Sequence, residues 1–279
     1  MSDDSEDPEL RAAAQFCMDT TLAYTQWIQA QDVKDGSAVA TDDKLFSVMS
    51  MTELINGQLV AALDCLLLAT WSLNKSGYAR GHGHPALIRS ALTPATCALW
   101  IMDDDPNQRR LRALQIAYAQ AEAESLHVRD IAPGWRQPGE TGIGAFIDSR
   151  AERRQRVVAD GEQLGFSEKQ IKSKPKDQDI VRRGGDRLPD GWLFDNSPGA
   201  YVISEWRLLS GRAHGFQWPI KLGSIPIANS ARPDFETYDV AWSLDRALGS
   251  VRVALRVARY AMDRWAFLAG MPPCSDQMP

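Results

Sequence analysis

The stretch Leu244-Asp-Arg-Ala-Leu-Gly-Ser-Val-Arg-Val-Ala-Leu-Arg-Val-Ala-Arg-Tyr-Ala-Met-Asp-Arg-Trp265 decides the fold. Leu244, Leu248, Val251, Leu255, Ala258, Met262 and Trp265 recur at spacings of four and three, the pattern of a helix that lays one seam against other helices. This last helix is predicted from Phe235 to Ala269. Working outward, the chain offers the partners it needs. Leu10, Ala13, Cys17, Thr20 or Thr21, Tyr24 and Ile28 share one face of a helix from Pro8 to Gln31. Thr41 or Asp42 is placed to cap a second helix reaching Asn74, where Lys75-Ser76-Gly77 stops it.

His84-Pro85 opens a third helix, which Pro94 is expected to bend or divide. Asp103-Asp-Asp-Pro106 stops that helix and starts a fourth, running to Asp130 with a loop at Pro133-Gly134 and Pro138-Gly139. Residues 148–187 mix both signs of charge with few large apolar side chains. They read as an exposed helical excursion broken at Gly165 and Pro175, with Gln170 to Lys176 in solvent. Gly199 to His214 reads as a buried helix, and Phe216 to Pro233 as an irregular or short β-like crossover. No β alternation of any length and no internal repeat is present. The expected fold is all-α, an elaborated helical bundle with a long C-terminal helix. It forms a single domain over 9–271, between an acidic tail at 1–8 and a flexible tail at 272–279.

Composition excludes more than it identifies. The chain has 279 residues, 44% apolar and 24% charged, and 31 basic against 36 acidic side chains leave a formal charge of −5. Such a balance fits a globular protein and argues against wholesale coating of nucleic acid or an anionic membrane. Four scattered cysteines with no Cys-x-x-Cys fit reduced thiols. The acidic N-terminus has no basic or apolar region of a secretory signal, and the apolar window Leu54 to Leu73 carries Asn56, Gln58 and Asp64, so a buried helix is favoured over a membrane span. A cytoplasmic location is expected. Walker A, Gly-x-Gly-x-x-Gly, Gly-x-Ser-x-Gly and His-Glu-x-x-His patterns are all missing, and no cofactor or metal is expected.

One segment carries chemistry, Tyr201-Val-Ile-Ser-Glu-Trp-Arg-Leu-Leu-Ser-Gly-Arg-Ala-His-Gly215. As a helix it places Val202, Trp206, Leu209 and Ala213 toward a core. Arg207, Ser210 and His214 share the adjacent edge at i, i+3 and i+7. An imidazole can move a proton near neutral pH, and a guanidinium fork can hold the charge that gathers on phosphoryl oxygens. The trio therefore suits cleavage of a phosphodiester in RNA. The competing reading makes Arg207 the partner of a buried carboxylate, Asp64 or Glu205, with His214 packed at a helix end. Asp64, if buried, is expected to pair with Arg89 or Arg207.

Arg207 followed by six residues and His214 resembles the Arg-x(4–6)-His motif of the HEPN superfamily. The stretch Trp206 to Gly215, with Arg89-Ser-Ala-Leu and Ala98-Leu-Trp-Ile, is also similar to helical bacterial proteins called Abi-like. The resemblance implies a metal-independent ribonuclease, or an inactive relative, in a defence or stress system. It also implies a homodimer in which motif helices of two subunits face each other, and leaves room for an antitoxin or regulatory partner. The alternative from the residues alone is a non-catalytic helical interaction or ligand-sensing protein.

Three weaker features have plain explanations. His82 and His84 supply half a tetrahedral metal shell, with nothing at helical spacing to complete it. Gly161, Leu164, Gly165, Phe166 and Ile171 echo a helix-turn-helix, but Asp160 and Lys174 occupy positions such a motif needs apolar, so an exposed hairpin is expected. Arg252, Arg256 and Arg259 form a basic stripe that solvation or pairing accounts for.

Overall fold

The computed structural model describes residues 7–135, 142–189, 197–223, 226–227, 237–238 and 242–274. They form an all-α bundle with one two-residue antiparallel pair. Eleven helices are described: α1 Pro8–Gln29, α2 Ala38–Asp43, α3 Met51–Ser76, α4 Gly83–Ile101, α5 Pro106–Trp135, α6 Gly142–Gln163, α7 Glu168–Lys172, α8 Asp177–Gly185, α9 Pro198–Ala213, α10 Gln217–Gly223 and α11 Leu244–Ala269. Strand β1, Pro226–Ile227, pairs with β2, Thr237–Tyr238.

Helix α11 is the axle. All seven seam residues are buried, and so are Ala247, Ser250, Val253, Ala254, Val257 and Ala261. The helix is therefore covered nearly all round, while Arg252, Arg256 and Arg259 remain exposed along one edge. It starts at Leu244 rather than Phe235, because the Ser243 side chain accepts the Arg246 N–H and caps it there. Helix α4 lies against α11, α3, α8 and α9, and α1 fills the groove between α3 and α11. Pro94 neither divides α4 nor ends it. Packing on four neighbouring helices outweighs the one lost hydrogen bond.

Other boundaries differ from the sequence expectation for similar reasons. Asp42 does not cap a long helix. It sits fully buried and holds both Arg109 and Arg110 at 2.7 Å, so the chain turns and restarts at Met51 with a Ser50/Glu53 capping box. Helix α5 continues through Pro133-Gly134 to Trp135, while Pro138-Gly139 lies outside the described residues. Pro8 opens α1 as its place in the first turn predicts, and Asp7, inside the stretch assigned to the tail, caps it. At the other end Cys274 is buried and its N–H donates to Asp263 at 3.0 Å, so the packed chain extends past 271.

Residues 148–187 are not a uniformly exposed excursion. Ile171, within the stretch expected in solvent, is fully buried, and Ile180, Val181, Gly184 and Gly185 are buried too. Helix α8 is wedged between α4 and α9. A Cβ on Gly184 would stand 2.2 Å from the Thr96 carbonyl oxygen, and one on Gly185 2.9 Å from Gly199 Cα. Only glycine lets the backbones approach so closely. Helices α6 and α7 close over α5 through Ile171, and Asp160 accepts from the N–H and hydroxyl of Ser47, each at 2.8 Å. The polar position that spoils a helix-turn-helix is thus a tether between distant segments.

Candidate functional site

Helix α9 begins where Ser197 accepts the Ala200 N–H and Pro198 fills the first turn. Its inner face packs Val202 and Leu209 into the core, while Trp206 is half-buried rather than buried. The Trp206 indole donates to Thr93 Oγ1 at 2.9 Å, and the Arg89 guanidinium lies 5.0 Å over its ring. The helix stops at His214, and Gly215 turns with φ 72° so that the Phe216 N–H reaches the Gly211 carbonyl at 2.8 Å.

Arg207 and His214 are exposed and Ser210 is half-buried, on one outer edge of α9. Arg207 forms no ion pair or hydrogen bond among the described residues. The His214 ring is tilted toward Phe216, with centroids 5.9 Å apart. An i to i+7 separation puts the two functional groups' backbones about 10 Å apart along the axis. Arg207 lines a cleft of about 250 Å³ between α9, α10 and the start of α11. Ile203, Leu208, Trp218 and Leu222 form its apolar wall, and Arg246 its other charged side. Ser210 and His214 lie outside that cleft.

Residues that carried no motif organise the cleft. Glu205, largely buried, is itself part of the cleft lining, accepting from Arg246 Nη2 at 2.9 Å and from the Ser250 hydroxyl. Arg246, not Arg207, is therefore the partner of this carboxylate. Behind it Arg212 is 2% exposed: Nη2 donates to the Pro219 carbonyl at 3.3 Å, the guanidinium lies 5.5 Å over Trp242, and Nε and Nη1 have no hydrogen-bond partner among the described residues. Burial, and then the charge of Arg246, hold this guanidinium below its usual range. Only three-dimensional proximity joins Glu205, Arg246 and Ser250; the glutamate's place in an otherwise apolar helix was the one available signal.

The expected pairing of Asp64 does not form. Asp64 is exposed on the outer face of α3 and makes no ion pair among the described residues. His82 and His84 are bound to protein rather than poised around a vacant centre. His82 Nδ1 donates to the Arg212 carbonyl at 2.6 Å. His84 Nδ1 accepts the Arg80 N–H at 2.8 Å, and its Nε2 meets the Ser72 hydroxyl at 3.1 Å. Among the described residues no three His, Cys, Asp or Glu side chains are grouped to hold a metal. The Asp103 carboxylate, in the stretch that stops α4 and starts α5, joins Arg112 and Arg187, each at 2.7 Å.

Compared with family models, curated proteins and solved structures, the chain gave no match. A second cavity, about 250 Å³, lies among α3, α4, α5 and α8. It is mostly apolar, with Ile116, Ala119 and Ile180 in its walls and the Cys97 thiol inside.

Proposed function

We propose that the chain is a HEPN-like, metal-independent ribonuclease of the cytoplasm, acting in a defence or stress system as a homodimer. The observation that supports it is the exposed edge of α9, where Arg207, without an ion pair or hydrogen bond among the described residues, and His214 stand on one face with Ser210 between them. An arginine kept for structure is normally engaged; this one is open to a ligand. In the proposed reaction His214 takes the proton of a ribose 2′-hydroxyl, the 2′-oxygen bonds to phosphorus, and the bond from phosphorus to the 5′-oxygen breaks. A second imidazole, or water, returns a proton to that leaving oxygen. Arg207 pairs with the non-bridging oxygens, whose charge rises in the transition state. Pairing α9 helices of two subunits, as the resemblance implies, brings two Arg207/His214 sets together, and exposed Phe216 adds apolar surface to that contact.

The test is incubation of purified protein with RNA in EDTA. Wild type is expected to cut and leave 2′,3′-cyclic phosphate ends, whereas His214→Ala and Arg207→Ala do not cut while keeping the wild-type melting temperature. Arg207→Lys is expected to fail as well, since an ammonium cannot reproduce the fork. No cutting by wild type under any condition ends the proposal. The second reading, a non-catalytic interaction protein, draws on the outer face of α3, where Val60, Leu68 and Trp71 are exposed. It predicts a binding partner whose loss follows Trp71→Ala and not His214→Ala.

A further inference from the structure

The cleft beside α9 has features that strand cleavage does not use. Arg207 and Arg246 line it from two different helices. Among the described residues Arg207 makes no ion pair or hydrogen bond, and Arg246 offers its remaining nitrogens because the described contact engages Nη2 alone. Glu205 is 4% exposed at its side chain and binds Ser250 as well. The carboxylate therefore fixes Arg246 in place while cancelling only one of the two charges. With the buried guanidinium of Arg212 behind, the cleft is a cationic spot in a chain of net charge −5. Two forks approaching from different directions suit the tetrahedral oxygens of a phosphate, whereas a flat carboxylate is satisfied by one fork.

The other wall is apolar and stiff. Trp218 is 45% exposed, and Gly211 is what lets it lie close on α9, since a Cβ there would come 3.0 Å from the indole and 2.5 Å from Pro219. Leu222, 75% exposed, stands on the same short helix. An exposed indole held by its own packing is a stacking surface for a flat ring. The volume, about 250 Å³, limits the occupant to something near the small end of ligand sites.

We infer that this cleft binds an aromatic phosphate ester, the phosphate clamped between Arg207 and Arg246 and the ring laid on Trp218. The inference shares Arg207 with the nuclease reading but does not require cleavage. Two sources supply this chemistry, a free small molecule and one unit of an RNA strand.

Calorimetric titration distinguishes them, with phenyl phosphate, phenol, inorganic phosphate, AMP and a short single-stranded RNA as probes. Phenyl phosphate is expected to bind saturably, with phenol, which lacks the charge-assisted contacts, and inorganic phosphate, which lacks a ring for Trp218, each weaker by about tenfold or more. Arg207→Gln and Trp218→Ala are each expected to weaken it about tenfold. Arg246→Lys keeps a cation for Glu205 yet loses the fork, and is expected to weaken it similarly without lowering the melting temperature. AMP binding as tightly as the RNA assigns the site to free ligands; RNA binding tighter than AMP, with the same dependence on these variants, assigns it to a strand. No saturable binding of phenyl phosphate, equal affinity for phenol, or an unaffected Arg207→Gln variant overturns the inference. RNA cutting that needs His214 but is indifferent to Arg246→Lys, in a protein that binds no phenyl phosphate, removes this inference and leaves the nuclease. Binding lost in Arg246→Lys by a protein that cuts no RNA does the reverse.

Discussion

The carboxylate of Asp42 receives the Arg109 guanidinium at 2.7 Å, and the two side chains are 0% and 4% exposed. Arg110 takes the second oxygen, also at 2.7 Å, and Arg109 Nη1 satisfies the Asp103 carbonyl at 2.9 Å. The pair ties the short α2 to the start of α5 across the bundle. Asp42→Asn removes the charge and leaves a buried guanidinium uncompensated, a loss expected to cost about 3–5 kcal/mol. Chemical denaturation measures it; a loss below about 1 kcal/mol means that water already reaches this pair.

Stability is expected to depend on His84 as pH falls. Its Nδ1 accepts the Arg80 N–H, which only the neutral ring can do, and burial first, then the charge of Arg80, lowers its pKa from 6.5. The unfolded chain therefore takes up this proton more readily than the folded one. The contribution is complete above pH 6.5 and is lost as pH falls toward the lower folded value. His84→Asn keeps an acceptor that does not titrate in this range. The melting-temperature gap between wild type and this variant should be widest near neutrality and shrink on acidification. A gap constant with pH counts against the assigned hydrogen bond.

Close backbone contact makes Gly184 sensitive. Gly184→Ala drives a methyl into the Thr96 carbonyl, and the α8–α4 contact must open, at an expected cost of about 1–3 kcal/mol. Lys172→Ala removes an exposed pair with Glu168 and a cation contact over the Tyr118 ring and should change stability far less. Comparable melting shifts would mean that α8 is not wedged against α4.

Tryptophan truncations should rank by depth. Trp265 is 1% exposed in α11, so Trp265→Ala is expected to cost about 3–5 kcal/mol. Trp206 is half-buried and should cost less, through its Thr93 hydrogen bond and Arg89 contact. Denaturant midpoints of the two variants decide the order.

Thiol chemistry gives a further check. Cys17, Cys97 and Cys274 are buried and Cys65 is partly exposed. Burial pushes the Cys97 and Cys274 thiols up to about 12, far from the reactive thiolate. Iodoacetamide on the native protein is expected to label Cys65 first, and unfolded protein at all four positions, as read by mass spectrometry. Early labelling of Cys97 would show that its cavity opens readily.

Legibility followed the range of the interaction. The heptad spacing of α11 and the apolar face of α1 are local periodicities, so they survive in the sequence; the α11 seam is buried throughout, and the α1 face is buried from Cys17 on, with Leu10 and Ala13 half-buried. Capping signals were readable but ambiguous: Asp42 looks like a helix cap until Arg109, 67 positions away, claims it. The stretch 148–187 misled for the same reason, because its charges advertise exposure while Ile171, Gly184 and Gly185 carry the contacts. At the candidate site, the shared edge of Arg207 and His214 was visible from helical spacing. Glu205 was readable as a candidate buried carboxylate, but its partners Arg246 and Ser250 were not, since nothing in a linear pattern places position 205 beside 246 and 250.

By itself, then, the sequence determined the helical class, the long last helix and the edge of α9, all consequences of the 3.6-residue repeat acting over one or a few turns. Tertiary structure alone decided which charges are buried and with whom, how α8 enters the core, and that Arg207 faces an open cleft with Arg246 opposite. Those outcomes depend on desolvation and close packing between segments far apart in the chain, and their energies exist only once the surfaces meet.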